Sequence, residues 1–292
     1  MKLRWTSWLT ALLLASLGWS VDCSAQSAGS NATTSSPPPA PAAAPAATWQ
    51  PDDRLIISAD GATLTGTSGG GGGSVTYLHQ PGPNSLLGVA SEYQRLAGAD
   101  WTFVSLNGSY GNALTANTRW IVHGDVHEGI GNSQAGVNNS QAFHYDIEAG
   151  GLGLSLPYGV SVDAEERQFD VDTTHGSLPK ATLAKAWGRH VLTTVAYARS
   201  YGGNLDTQYE MARVDIYGPG FALLGGASFG RVTPAVVNIP GVLSPAAKHL
   251  SEPFVGVTKS LSRVDLTLLG DDLNLAGIRH LTVTLNCLVH LR

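Results

Sequence analysis

This chain is poor in most of what marks a soluble enzyme. Of its 292 residues only 13% are Asp, Glu, Lys or Arg, and it has two cysteines and two methionines. Soluble domains average about 25% charged residues. No run approaches the ~18 apolar residues of a membrane-crossing helix, and no amphipathic helix of useful length is visible. The net charge of −5 comes without a basic stripe, which excludes nucleic acid as a partner. The cysteines, Cys23 and Cys287, show no Cys/His spacing of a structural zinc site. No serine sits in a nucleophile elbow with His and an acid placed around it. No cofactor and no catalytic residue is expected.

What the chain has is alternation. From Arg279 to Arg292, Leu281, Val283, Leu285, Cys287, Val289 and Leu291 point one way, and His280, Thr282, Thr284, Asn286 and His290 the other. Successive side chains of a strand lie on opposite faces, so this is a strand with one greasy and one polar face. Its length matches the ~9–11 residues that cross a bilayer at a tilt. Similar runs are expected at 54–66, 74–80, 85–95, 101–110, 116–128, 140–155, 158–170, 178–187, 190–201, 206–217, 220–232, 253–261, 263–269 and 279–291. The fold class is therefore all-β: a single antiparallel up-and-down transmembrane barrel of about fourteen strands, with twelve as the alternative. Lipid cannot satisfy an open sheet edge, so the sheet must close.

The termini and connections give a direction. Lys2 and Arg4, the apolar segment Trp8 to Trp19 and the small residues Cys23-Ser24-Ala25 read as a signal peptide, residues 1–25, cleaved after Ala25. Residues 26–52 form an Ala/Pro/Ser-rich linker, and 53–292 the barrel. Tight connections at 79–84, 156–159, 188–189, 218–220 and 260–262 alternate with longer ones at 129–139, 170–177, 233–252 and 270–278. With fourteen strands and a periplasmic linker, the tight ones all fall on the periplasmic side, as in outer-membrane barrels. The expected location is the cell outer membrane, and the expected partners are its lipid and the barrel assembly machinery. Loop 233–252, with Pro234, Pro240 and Pro245 among apolar residues, is the candidate for gating. Trp187, Tyr158, Tyr201 and Tyr217 lie near strand ends, where an aromatic girdle would sit.

The segments Leu87-Gly88-Val89-Ala90-Ser91-Glu92-Tyr93, Val191–Tyr201, Tyr209–Tyr217 and Leu281–Leu291 resemble the YaiO-type outer-membrane barrels of Gram-negative bacteria. The resemblance spans roughly Ser74 to the end and implies outer-membrane location without catalytic residues. Such barrels usually end on an aromatic residue, whereas Arg292 stands last here.

The richest polar constellation is one hairpin. Arg119, Ile121, His123, Asp125 and His127 share a face of strand 116–128, and His144, Asp146 and Glu148 share a face of strand 140–155. A turn centred on 133–134 sets His123 opposite His144 and Arg119 opposite Glu148, with Asp163, Glu165 and Arg167 joining from the next strand. Three readings stand: a network of charge pairs filling the lumen, a constriction biasing passage toward cations or polar solutes, or acid–base or metal chemistry. The run Gly69 to Gly73 lacks the Lys-Ser/Thr ending of a phosphate loop and reads as a flexible loop. Asp271-Asp272-Leu273-Asn274 reads as a turn with weak calcium-binding potential. The function expected is a porin-like or structural barrel passing small polar solutes. The alternatives are an outer-membrane enzyme acting on lipid or surface polysaccharide, and an accessory barrel in polysaccharide export.

Overall fold

The computed structural model of the protein describes residues 52–65, 69–96, 99–134, 140–171, 174–232 and 248–291. The expected signal peptide 1–25, nearly all of the linker 26–52 and the 233–247 part of the expected gating loop lie outside them.

Alternation and closure together produce one barrel of fourteen antiparallel strands. They are β1 (Asp52–Leu64), β2 (Gly70–Gly82), β3 (Ser85–Leu96), β4 (Ala99–Thr115), β5 (Thr118–Gln134), β6 (Ser140–Leu156), β7 (Val160–Val171), β8 (Thr174–Trp187), β9 (Val191–Arg199), β10 (Gln208–Gly218), β11 (Phe221–Val232), β12 (Lys248–Ser260), β13 (Val264–Leu275) and β14 (Ile278–His290). Every strand pairs with its neighbours in sequence, and β1 closes on β14 from Arg54↔His290 to Leu64↔His280. Closure leaves no unpaired edge, the condition a bilayer imposes.

Exposure separates the two faces. On β14, Leu281, Val283 and Leu285 are exposed, while His280, Thr282, Thr284 and Asn286 are buried. The same parity puts Val75, Val104, Val122, Leu183, Val214 and Val257 outside. A greasy outer face with a polar inner one is what a barrel in lipid requires.

The connections 83–84, 116–117, 157–159, 188–190, 219–220 and 261–263 all lie at the end of the barrel where β1 starts and β14 finishes. The opposite end carries 233–247, but three connections expected to be long are shorter than the sequence suggests. The segment 129–139 shrinks to 135–139, 170–177 to 172–173 and 270–278 to 276–277, because polar residues expected in loops continue the ladders. Asp271-Asp272-Leu273-Asn274 is accordingly strand, not turn: all four pair with β14. The glycines Gly70–Gly73 are likewise part of β2 and not a flexible loop: all four pair with β1, and Gly71–Gly73 also with β3.

Strands β5 and β6 are 17 residues each. At ~3.3 Å per residue such a strand runs roughly 56 Å, more than a ~30 Å hydrocarbon core needs even at a ~45° tilt. Pairing of β6 with β7 starts only at Tyr145↔Val171, so Ser140–His144 rise past the end of β7. This ledge stands on the side opposite the termini.

Candidate functional site: the inner wall of the barrel

The inner wall is built by strands whose inward residues are small, flanked by strands whose inward residues are charged. On β6 the inward positions include Ala149, Gly151 and Gly153, which pair with Asp125, His123 and Ile121 on β5 and with Arg167, Glu165 and Asp163 on β7. A Cβ on Gly151 would collide with the His123 ring. The missing side chains form a trough across which β5 and β7 meet. His123 Nε2 reaches Asp163 at 2.9 Å, and an Arg167 terminal nitrogen lies 3.8 Å from Asp125. Arg167 also donates to Glu165, Lys180 on β8 approaches Glu165 at 3.1 Å, and His127 Nε2 contacts Asp125 at 2.7 Å. Glu165 and Arg167 are buried. Each buried charge has an opposite partner, which the low dielectric of such a site demands.

The register of β5 against β6 differs from a turn centred on 133–134. The ladder runs Arg119↔Ser155, His123↔Gly151 and Ile130↔His144, which places its centre at residue 137. The shift in partner is seven residues. An odd shift moves a strand's side chains to the other face. His144, Asp146 and Glu148 therefore pair with Ile130, Glu128 and Val126, and stand on the outer face near the ledge. His144 and Glu128 form an exposed pair at 3.5 Å there. Arg119, His123, Asp125, His127, Asp163, Glu165 and Arg167 come together on the inner side; His144, Asp146 and Glu148 do not join them. Arg119 lies nearer the end where β1 starts and β14 finishes, bonded to Asn84 at 3.1 Å.

The same device recurs across β2. A side chain on Gly72 would collide with Gln94, whose amide crosses to Asp60 at 2.8 Å and to Glu92 at 3.2 Å. On β10, Arg213 and Asp215 are buried and bonded to each other, with Arg213 Nε at 3.0 Å. Tyr217 shares their face, so it departs from the expected outer girdle, whereas Trp187, Tyr158 and Tyr201 are exposed.

Above this belt, toward the end opposite the termini, the inner face is apolar. Leu64, Leu96, Trp101, Phe103, Ile147, Phe169, Leu178, Val232, Leu250, Leu273 and Leu275 form one packed cluster. They come from strands all around the barrel, so the cluster seals the lumen. Trp101 is 1% exposed, and Ile147 and Leu275 0%. Leu205, from the connection between β9 and β10, inserts into it. Ser200 holds that connection, accepting from the Thr207 amide at 2.8 Å and donating to the Leu205 carbonyl at 2.9 Å. The sequence reading passed over both this seal and this connection. The available signal was a strand end whose inward positions turn apolar, as in Trp101-Thr102-Phe103-Val104 and Leu273-Asn274-Leu275.

Among the described residues, one trio offers His or carboxylate ligand atoms all within 4.8 Å: His123, Asp163 and Glu165. Arg167 and Lys180 already supply positive charge to Glu165, so the trio belongs to an ion-pair network.

No family model matches the chain, and no curated protein matches its sequence. The likeness to YaiO-type barrels finds no support there. Solved structures do match. The CymD monoaromatic hydrocarbon channel aligns over 82% of this chain and 88% of its own, with a TM-score of 0.53 and 10% identity. A Pseudomonas aeruginosa FadL homologue aligns over 83% and 90%, at a TM-score of 0.49 and 7% identity. The KdgM porin aligns over 79% and 97%, at 0.39 and 8%. The fold is that of porin-like outer-membrane β-barrels.

Proposed function

We propose that the protein is an outer-membrane channel of porin type that passes small polar solutes, favours cations and is closed on its outer side by the apolar cluster. The observation that carries this is the belt below the seal. Asp60, Asp125, Asp163, Glu165 and Asp271 face inward there, with Arg167 and Lys180 as the cations of the β5–β8 wall. Fixed charge of one sign in a narrow, low-dielectric passage raises the local concentration of the opposite sign. In this reading residues 1–25 are a cleaved export signal, 26–52 a periplasmic linker, and the barrel is inserted by the assembly machinery and surrounded by outer-membrane lipid. The protein carries out no chemistry of its own.

Planar-bilayer recording tests it. The wild type conducts rarely, and Trp101→Ala/Phe103→Ala/Leu275→Ala raises the open fraction. Under a salt gradient the open state is cation-selective, and Asp60→Asn/Asp125→Asn/Asp163→Asn shifts the reversal potential toward anions. Asp146→Asn/Glu148→Gln, on the outer face, leaves it unchanged. A triple seal variant that folds and shows no conductance rejects the channel. Fractionation with outer membranes and a mobility shift on boiling test the location; recovery as a soluble periplasmic protein would exclude it.

A second reading rests on the seal. The packed apolar residues Trp101, Phe103, Ile147 and Leu273 would part to admit an apolar solute, as the name of the CymD monoaromatic hydrocarbon channel suggests for that protein. Toluene-induced quenching of Trp101 fluorescence, saturable and lost in Trp101→Ala, favours it over the polar-solute reading.

A further inference from the structure

Closure of the barrel does not extend to the ledge. β6 pairs with β5 as far as Gln134↔Ser140, whereas its ladder with β7 stops at Tyr145↔Val171. β7 ends at Val171 and β8 begins at Thr174. The β7-facing side of Ser140–His144 therefore has no strand partner among the described residues. In an antiparallel strand every second residue turns both its N–H and its C=O to one side. An edge left open in this way is a template for a further strand.

The face beside that edge carries one sign of charge. Glu128, Asp146 and Asp170 are direct cross-strand partners on the outward side of β5, β6 and β7. Glu148 and Glu166 share this outward face, and both are exposed. Water tolerates such charges, but carboxylates directly opposite one another repel. His144 lies 3.5 Å from Glu128, and His175 stands opposite Asp170 at the end of the row. Among the described residues no Lys or Arg forms an ion pair with these three acids. The row also excludes one occupant. Two copies of the barrel joined through this edge would bring two acidic rows together, which is how charged edges prevent self-association. A strand carrying Lys or Arg meets the opposite sign.

We propose that the β6 edge at Ser140–His144 receives an extended cationic segment of another protein, which adds as a strand in line with β7 and lays its Lys or Arg side chains over Glu128, Asp146 and Asp170. Main-chain hydrogen bonds give such an addition its affinity, and alternate side chains give it specificity. A residue of the added strand opposite His144 stands two positions along from Asp170, roughly 7 Å away along the strand direction. A Lys side chain spans that distance. The site does not depend on the barrel conducting or on the apolar seal.

Fluorescence anisotropy of a labelled Lys-Thr repeat octapeptide, titrated with the full barrel in detergent, tests this. The peptide binds saturably, one per barrel. The same peptide N-methylated at each residue keeps its charges but loses its strand donors, and its affinity is lower by about tenfold or more. Asp146→Asn/Asp170→Asn weakens the unmodified peptide severalfold, and a Glu-Thr repeat does not bind. Asp163→Asn, inside the barrel, leaves binding unchanged. Boiling-dependent mobility confirms that each variant is folded, and the comparison of the two Lys-Thr peptides needs no variant. No binding to the wild type, equal binding of the two Lys-Thr peptides, or equal binding by wild type and Asp146→Asn/Asp170→Asn overturns the proposal. Barrels that sediment as dimers and are separated by the peptide assign the edge to a second copy, and overturn the proposed partner.

Discussion

Two levels of the same lumen are built in opposite ways. Toward the end opposite the termini, Trp101, Ile147 and Leu275, from separate parts of the wall, belong to one buried apolar cluster. Below, Arg167, Glu165, Lys180 and Asp125 meet across a glycine trough as an ion network. Both levels are inner face, and alternation alone does not distinguish them. An inner face is defined by what it touches. Where opposite walls touch each other, apolar residues exclude water and close the tube. Where they hold charges, the tube keeps the polarity of a passage.

The largest effect that could break this contrast is removal of the guanidinium. Arg167→Met leaves Glu165 and Asp125 buried short of a partner, at a cost of about 3–5 kcal/mol. Urea-driven unfolding from liposomes measures it, and an unchanged midpoint would show that the belt is hydrated rather than paired. In the seal, Trp101→Ala removes packing worth roughly 3–5 kcal/mol. The loss falls toward the low end of that range, because the buried Trp101 Nε1 has no acceptor to lose. Trp101→Phe is nearly neutral by the same measurement; a cost as large as that of alanine would mean the indole nitrogen has a role.

A smaller effect sharpens the assignment of faces on which the contrast rests. Val283→Arg places a charge in lipid and costs about 2–4 kcal/mol near the midplane. Thr284→Arg sits opposite Asp60 inside the barrel and is tolerated better, as refolding yield into bilayers should show. Equal penalties would mean that β14 is reversed. Smallest of all, Glu128→Ala removes an exposed partner of His144 on the outer ledge and changes stability by less than about 1 kcal/mol. A larger loss in the same unfolding assay would move that ledge into the functional wall.

The legibility of this molecule varied between hairpins. On β14 every second residue is apolar, so the strand, its span and its two faces follow from the residues. On β6 the segment around Tyr145, Asp146, Ile147 and Glu148 also alternates, but its polar set lies outside and Ile147 inside. Polarity pointed the wrong way because this end of the strand rises past the lipid, where an outward carboxylate has no penalty. The partner of each residue depended on where the turn was centred, and an error of a few residues there reversed the face. Glycine misled for a related reason. Gly70–Gly73 suggests a loop to local propensity, yet those positions are strand because Gln94 must cross Gly72 to reach Asp60.

The sequence by itself determined an all-β chain of about fourteen strands, the side on which the short turns lie and the outward set of the regular strands, because these follow from a period of two and from turn residues. Only the tertiary structure decided which walls meet: the apolar seal and the pairing of His123 with Asp163 over Gly151. Those contacts depend on register and on closure, through which residues far apart in the chain share one small interior.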